Sequence, residues 1–112
     1  MTTNDIVTKA RRIVADTISP YRWSDAEMRE HLQAALHRLA ERAPQTRYMA
    51  DGSIVNYVVL PNDSTAALPV HDKYAEALAL YVTYLCYFND ATDTVNAERA
   101  ASCLTRAEGL MT

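Results

Sequence analysis

Apolar positions fall into four runs with helical spacing, interrupted by one stretch where that spacing vanishes. The most apolar run covers residues 68–90 and predicts a helix over residues 70–89. Tyr74, Leu78, Tyr81, Val82, Leu85 and Phe88 recur at three- and four-residue steps and share one face, expected to be core. Leu80, Tyr84 and Tyr87 form a second apolar stripe, and Ala75, Ala79 and Cys86 a flank small enough for close packing. Only Glu76, Thr83 and Asp90 are polar along one thin line. A helix apolar almost all round must be covered on nearly every side. A chain of 112 residues has few elements to do this, so part of the cover is expected from other chains.

The remaining elements follow from the same patterning. A first helix is predicted over residues 4–17, with Ile6, Ala10, Ile13 and Val14 inward, Thr3 or Asn4 as cap, and Ser19-Pro20 as stop. A second is predicted over residues 25–43. Ser24 and Glu27 have the spacing of a capping box, and Trp23 stands where it can staple the first turn. Met28, Leu32, Ala35, Leu36, Leu39 and Ala43 form its buried stripe, leaving Arg29, Glu30, Gln33, His37, Arg38, Glu41 and Arg42 on a solvated side.

In residues 47–60 the Asp51-Gly52 pair signals a turn, and the following run is rich in β-branched and aromatic residues. One strand is expected there, or a hairpin if residues 47–50 pair across the turn. Two strands alone are marginal, so the edge is expected either to tuck onto the helices or to be offered to another chain. A last helix is predicted over residues 94–108. Ala97, Ala100, Ala101, Leu104 and Ala107 would face inward and Glu98, Arg99, Ser102 and Arg106 outward, with Gly109 ending it and Leu110 folding back. The fold class is mainly α: a single domain over residues 1–112, about four helices with a short β-strand or hairpin inserted between helices two and three.

Composition narrows the function classes. With 49% apolar and 22% charged residues, the chain belongs with folded rather than disordered proteins. A net charge of −3 argues against gripping nucleic acid through its phosphates. Lys9, Arg11 and Arg12 cluster near the N-terminus, but Asp5 and Asp16 lie within helical reach of Lys9 and Arg12, which reads as a solvated face of paired charges. Cys86 and Cys103 lack CxxC spacing and are expected to be buried free thiols in a reducing compartment. The N-terminal residues lack the apolar segment of a secretory signal. The uncharged run of residues 77–89 is shorter than the about 20 residues a membrane span needs. Synthesis and assembly in the cytoplasm are expected, with no membrane partner.

The candidate chemistry is sparse. His31 and His37 are six residues apart and point about 120° away from each other on one helix, so they do not share a metal. His71 beside Asp72 could form a His–carboxylate pair, although first-turn surface groups look the same. No nucleophile motif, Gly-rich loop, HExxH or P-loop pattern occurs. No enzyme, cofactor or metal is expected. Large apolar side chains carry much of the energy of protein contacts, and the interface candidates are Trp23, Tyr48, Ile54, Tyr57, Val59, Leu80, Tyr84 and Tyr87. For Trp23 the competing reading is internal packing. A helix-turn-helix reader is disfavoured by the long link from Ile18 to Trp23 and the balanced charges of helix two.

The segment Tyr21-Arg22-Trp23-Ser24-Asp25-Ala26-Glu27 lies between an amphipathic helix and one ending at Arg42-Ala43-Pro44. Together they resemble the N-terminal half of head-to-tail connector proteins of tailed double-stranded DNA phages. Leu68-Pro69, then Tyr74, Ala77, Leu78, Tyr81, Val82, Tyr84, Tyr87, Asp90-Ala91 and Asn96-Ala97-Glu98-Arg99-Ala100-Ala101, is similar to the C-terminal helical pair of one such group. Some of those proteins have a longer β-rich insertion between helices two and three, so nothing is carried over for that region.

The resemblance implies a structural virion protein, a neck adaptor that forms a homo-oligomeric ring, usually of twelve copies. It would sit between the portal protein and a further neck or tail protein, with DNA passing through the lumen without sequence-specific binding. The alternative reading is a small cytosolic helical regulator that binds protein or DNA as a dimer.

Overall fold

The computed structural model describes residues 1–15, 22–89 and 94–112, and is mainly helical. Helix α1 spans Thr3–Ile13, α2 Asp25–Arg42, α3 Ala75–Asn89 and α4 Thr94–Leu110, with 3-10 turns at Pro44–Arg47 and Asp72–Tyr74. Helix α3 is the centre: it packs most extensively on α4 and also on α1 and α2. Near the end of α4, Arg106 lies 3.6 Å from Glu76 in the first turn of α3, so the two helices run antiparallel.

The helix ends follow local chemistry. The cap of α1 is Thr2, one residue before the predicted Thr3, and a full capping box forms between Thr2 and Asp5. The helix stops at Ile13, short of residue 17. Val14 is its C-cap, and Ala15 follows at φ 60°, the left-handed conformation that ends helices at some steric cost for a residue with a Cβ. The stop expected at Ser19-Pro20 lies outside the described residues. For α2, Ser24 accepts from the Glu27 amide at 3.2 Å, which gives the Ser24 half of the predicted box. Helix α4 runs through Gly109 to Leu110; Leu110 stays 45% exposed, and Met111 is the residue that folds back into the core.

The buried stripe of α2 matches its prediction at every position and adds Ala40. On α1 the stripe shifts: Ile6, Val7 and Ala10 are buried, Val14 is half-buried and Ile13 is exposed. Arg11, expected on a solvated face, is buried as well. Its guanidinium donates to the Trp23 carbonyl at 2.9 Å and pairs with Asp25 at 2.8 Å, pinning α1 to the start of α2. On α4 the inward residues are Ala100, Cys103 and Ala107, with Met111 buried just beyond its end, whereas Ala97 and Ala101 face out. Both cysteines are buried free thiols, as expected.

Over its first turns the central helix is covered within one chain. Ala77, Leu78, Ala79 and Leu80 are four consecutive residues pointing in every direction, and all are buried within a single chain. Three packed neighbours are enough for these turns. Thr83, placed on the polar line, is also buried, and its hydroxyl donates back to the Ala79 carbonyl at 2.9 Å. Apart from Ala75 and Glu76 at its start, the uncovered side chains of α3 lie from Tyr81 onward. Tyr81, Tyr84, Leu85 and Tyr87 are half-buried there, and Phe88, predicted to be core, is 59% exposed.

A charged cluster ties the end of α2 to the end of α4. The Arg38 guanidinium donates twice to the Glu108 carboxylate, at 2.7 and 3.0 Å, and Arg42 adds a contact at 3.0 Å. Hydrogen bonding from Arg38, reinforced by the charges of Arg38 and Arg42, holds the Glu108 carboxyl below the usual carboxylate range. A pKa lower in the folded chain than in the unfolded one stabilises the fold above the ordinary carboxyl range. That contribution is lost as pH falls through the folded value. Glu108→Gln should therefore cost about 1 kcal/mol at neutral pH, and the gap to wild type should close in acid. Chemical denaturation at both pH values checks this. Leu78→Ala should cost about 2–5 kcal/mol through the cavity it leaves, and Ser24→Ala about 1 kcal/mol through the lost cap, both read as falls in denaturant midpoint.

Candidate interaction surface

The stretch predicted as a strand or hairpin, residues 47–60, carries one isolated antiparallel bridge, Tyr48 with Ile54, and no strand among the described residues. The turn itself is present. The Gly52 amide donates to the Met49 carbonyl at 3.0 Å, Gly52 takes φ 86°, and the Asp51 carboxylate accepts from the Ser53 amide and hydroxyl. Around the bridge, Met49 donates to Ser53 and Val55 to Arg47, each at 2.9 Å, and the Arg47 guanidinium caps the Val55 carbonyl at 2.8 Å. Bends at Asn56 and Tyr57 then break the run. A two-stranded ribbon with one face in water has too little burial to propagate.

Residues 58–61 run without a bend and are held by α2. Arg29, Gln33 and His37 stand at four-residue steps along one face of that helix. Arg29 donates to the Pro61 carbonyl at 2.8 Å and to the Ser64 hydroxyl at 2.7 Å. The Gln33 amide nitrogen donates to the Val58 carbonyl, and its oxygen accepts from the Leu60 amide, both at 2.9 Å. The His37 ring lies over the Tyr57 ring with centroids 3.7 Å apart and planes at 32°. The segment therefore descends the helix as its own numbering rises. One carboxamide straddles Val59 just as a residue of a neighbouring parallel strand would. These three side chains were assigned to a solvated face. Their spacing, opposite an extended run with no second strand, is the signal that could have shown the grip.

Side chains along the held run alternate between the core and solvent. Val58 and Leu60 are buried, whereas Val59 between them is 69% exposed. Tyr48 is 64% and Ile54 59% exposed, and Tyr57 is more than a third exposed despite its stack on His37. These four candidates lie on one irregular segment. From residue 52 to residue 60 it carries no charge.

The other four candidates fare differently. Trp23 is buried at the join of α1 and α2, where Arg22 also lies 5.1 Å from its ring, so the internal reading holds. Leu80 is 1% exposed inside the helical core and offers nothing to a partner. Tyr84 and Tyr87 are half-buried. Tyr84 makes an edge contact with Tyr81 at 5.3 Å and a tilted contact with Phe88 at 5.8 Å, and Arg99 lies 5.9 Å from the Tyr87 ring.

A cleft of about 250 Å³ lies beside the segment, lined in part by Gln45, Tyr48, Val70, His71 and Tyr74. His71, considered for acid–base work with Asp72, uses Nδ1 to accept the Lys73 amide at 3.0 Å and acts as a helix cap. No helix among the described residues is long and apolar enough to cross a membrane. No family model, curated protein or solved structure matches this chain. The surface is largely apolar, uncharged from residue 52 to residue 60, and held against α2 by Arg29, Gln33 and His37.

Gln33→Ala should leave the Val58 carbonyl and the Leu60 amide without a protein partner. About 1–3 kcal/mol of stability should be lost, and the Leu60 amide should exchange hydrogen markedly faster at unchanged helix content. Exchange measured by NMR checks this, and an unaltered Leu60 rate would remove Gln33 as the clamp.

Proposed function

We propose that this chain is a structural head-to-tail connector, a ring subunit between portal and tail without catalytic activity. One observation carries the reading: Tyr48, Ile54, Tyr57 and Val59 are exposed on one irregular segment, uncharged from residue 52 to residue 60, beside the packed helical core. An exposed apolar patch on a small folded chain marks a contact surface. The support no longer includes an uncovered central helix, whose first turns are wrapped within one copy. A ring repeated head to tail needs two different faces on each subunit, and the half-buried tyrosines of α3 give a second aromatic area to set against the segment. The negative balance of the chain suits a channel that DNA slides through without adhering.

Cryo-electron microscopy of portal rings incubated with the purified chain tests this. Added density for a multi-copy ring on the tail-side face of the portal is the expected result, and Tyr48→Ala with Val59→Ser should weaken it while leaving the melting of the free chain nearly unchanged. A discrete two-fold dimer that leaves portal rings bare would overturn the assignment and favour the dimeric regulator.

A further inference from the structure

Two short stretches of backbone in this chain behave as strand edges without a partner. The first is at Val59. Because Gln33 bonds to the Val58 carbonyl and the Leu60 amide, both on the helix side, the N–H and C=O of Val59 are turned the opposite way by the alternation of an extended chain. Neither has a hydrogen-bond partner among the described residues, and the residue is 69% exposed. The second is at Ile54. The bonds flanking its bridge to Tyr48 are made by Val55 and Ser53, which makes Tyr48 and Ile54 the non-hydrogen-bonded pair of the ladder. The N–H and C=O of Ile54 are likewise without a partner among the described residues and turn away from the hairpin.

Open edges invite pairing, and proteins that do not use them blunt them with charge, proline or a bulge. Residues 52–60 contain no charged residue and no proline. The bends at Asn56 and Tyr57 separate the two edges, and they do not pair with each other within the chain. One chain thus presents two different apolar edges, each lacking what the other supplies.

We propose that copies of this chain join by strand addition, the Ile54 edge of one copy pairing with the Val59 edge of the next. Such a contact is heterologous and repeats, and it buries Ile54 and Val59 side chains without bringing like charges together. The direction of repeat rests on the reading of the protein as a ring subunit.

Proline substitution tests both edges, because each amide is unbonded in the single chain and its removal costs the fold no hydrogen bond. In sedimentation equilibrium from micromolar to millimolar concentration, wild type should grow beyond a dimer. Val59→Pro and Ile54→Pro should each remain monomeric. An equimolar mixture of the two variants should form a 1:1 dimer and nothing larger, since joining the one intact edge of each leaves only blocked edges. Amide exchange at Ile54 and Val59 in wild type should slow together as concentration rises.

A wild type that stays monomeric throughout, with both amides exchanging freely, overturns the proposal and leaves the edges to another protein. Ile54→Pro that still dimerises alone means that two Val59 edges pair about a two-fold axis, and also overturns it. If either proline variant loses helix content by circular dichroism, Val59→Lys and Ile54→Lys repeat the pairing test with the backbone intact. Portal binding is scored separately. Chains that self-associate as described but ignore portal rings refute the connector reading alone, and monomers that bind portal refute the strand addition alone.

Discussion

An extended backbone needs a hydrogen-bond partner for every polar group it removes from water, and no sheet among the described residues provides one. The carboxamide of Gln33 does so instead, offering one donor and one acceptor to Val58 and Leu60 from the side of a helix. Arg29 and His37 extend the same arrangement one helical turn in each direction. The consequence is orientation. With the helix-side groups of residues 58–60 satisfied, the N–H and C=O of Val59 point away from α2. The segment thereby has a fixed register on the helix.

The central helix obeys a different constraint. Its apolar surround demands cover, and α1, α2 and α4 supply it over the first turns, leaving aromatic rings partly uncovered only towards Phe88. Exposed apolar side chains thus lie both towards Phe88 and on the segment of residues 48–59 that precedes the helix. Two anchors keep the frame rigid enough for this to matter. Arg11 joins α1 to the start of α2 through Trp23 and Asp25, and the paired arginines of α2 hold Glu108 of α4.

Much of this frame was legible in the chain's own pattern. The stripe and cap of α2 depend on residues close in sequence, so Ser24 and the spacing from Met28 to Ala43 predicted them correctly. The central and last helices were found for the same reason, with ends displaced by a few residues. What the pattern missed depends on residues far apart in sequence. Arg11, Arg29 and Gln33 look like ordinary solvated side chains until the partners that bury them, 12 to 35 positions away, are in place. The strand failed to propagate because β-propensity in residues 54–60 measures suitability for a sheet, and the described residues form none. Of the contact candidates, Tyr48, Ile54, Tyr57 and Val59 are exposed where a local reading put them, whereas Leu80 and Trp23 were drawn into the interior by neighbours that local spacing cannot reveal.

One consequence concerns the sulfur atoms. The Cys86 thiol sits 3.6 Å from the Met28 thioether at the α2–α3 contact, and neither residue is accessible. Cys103 lies on α4 with slight exposure. A thiol reagent can reach the first only when the helical layers part, whereas the second needs no more than a loosening of α4. The two labelling rates would thus form an intrinsic clock pair, one reporting wholesale separation of the bundle and the other the breathing of its last helix.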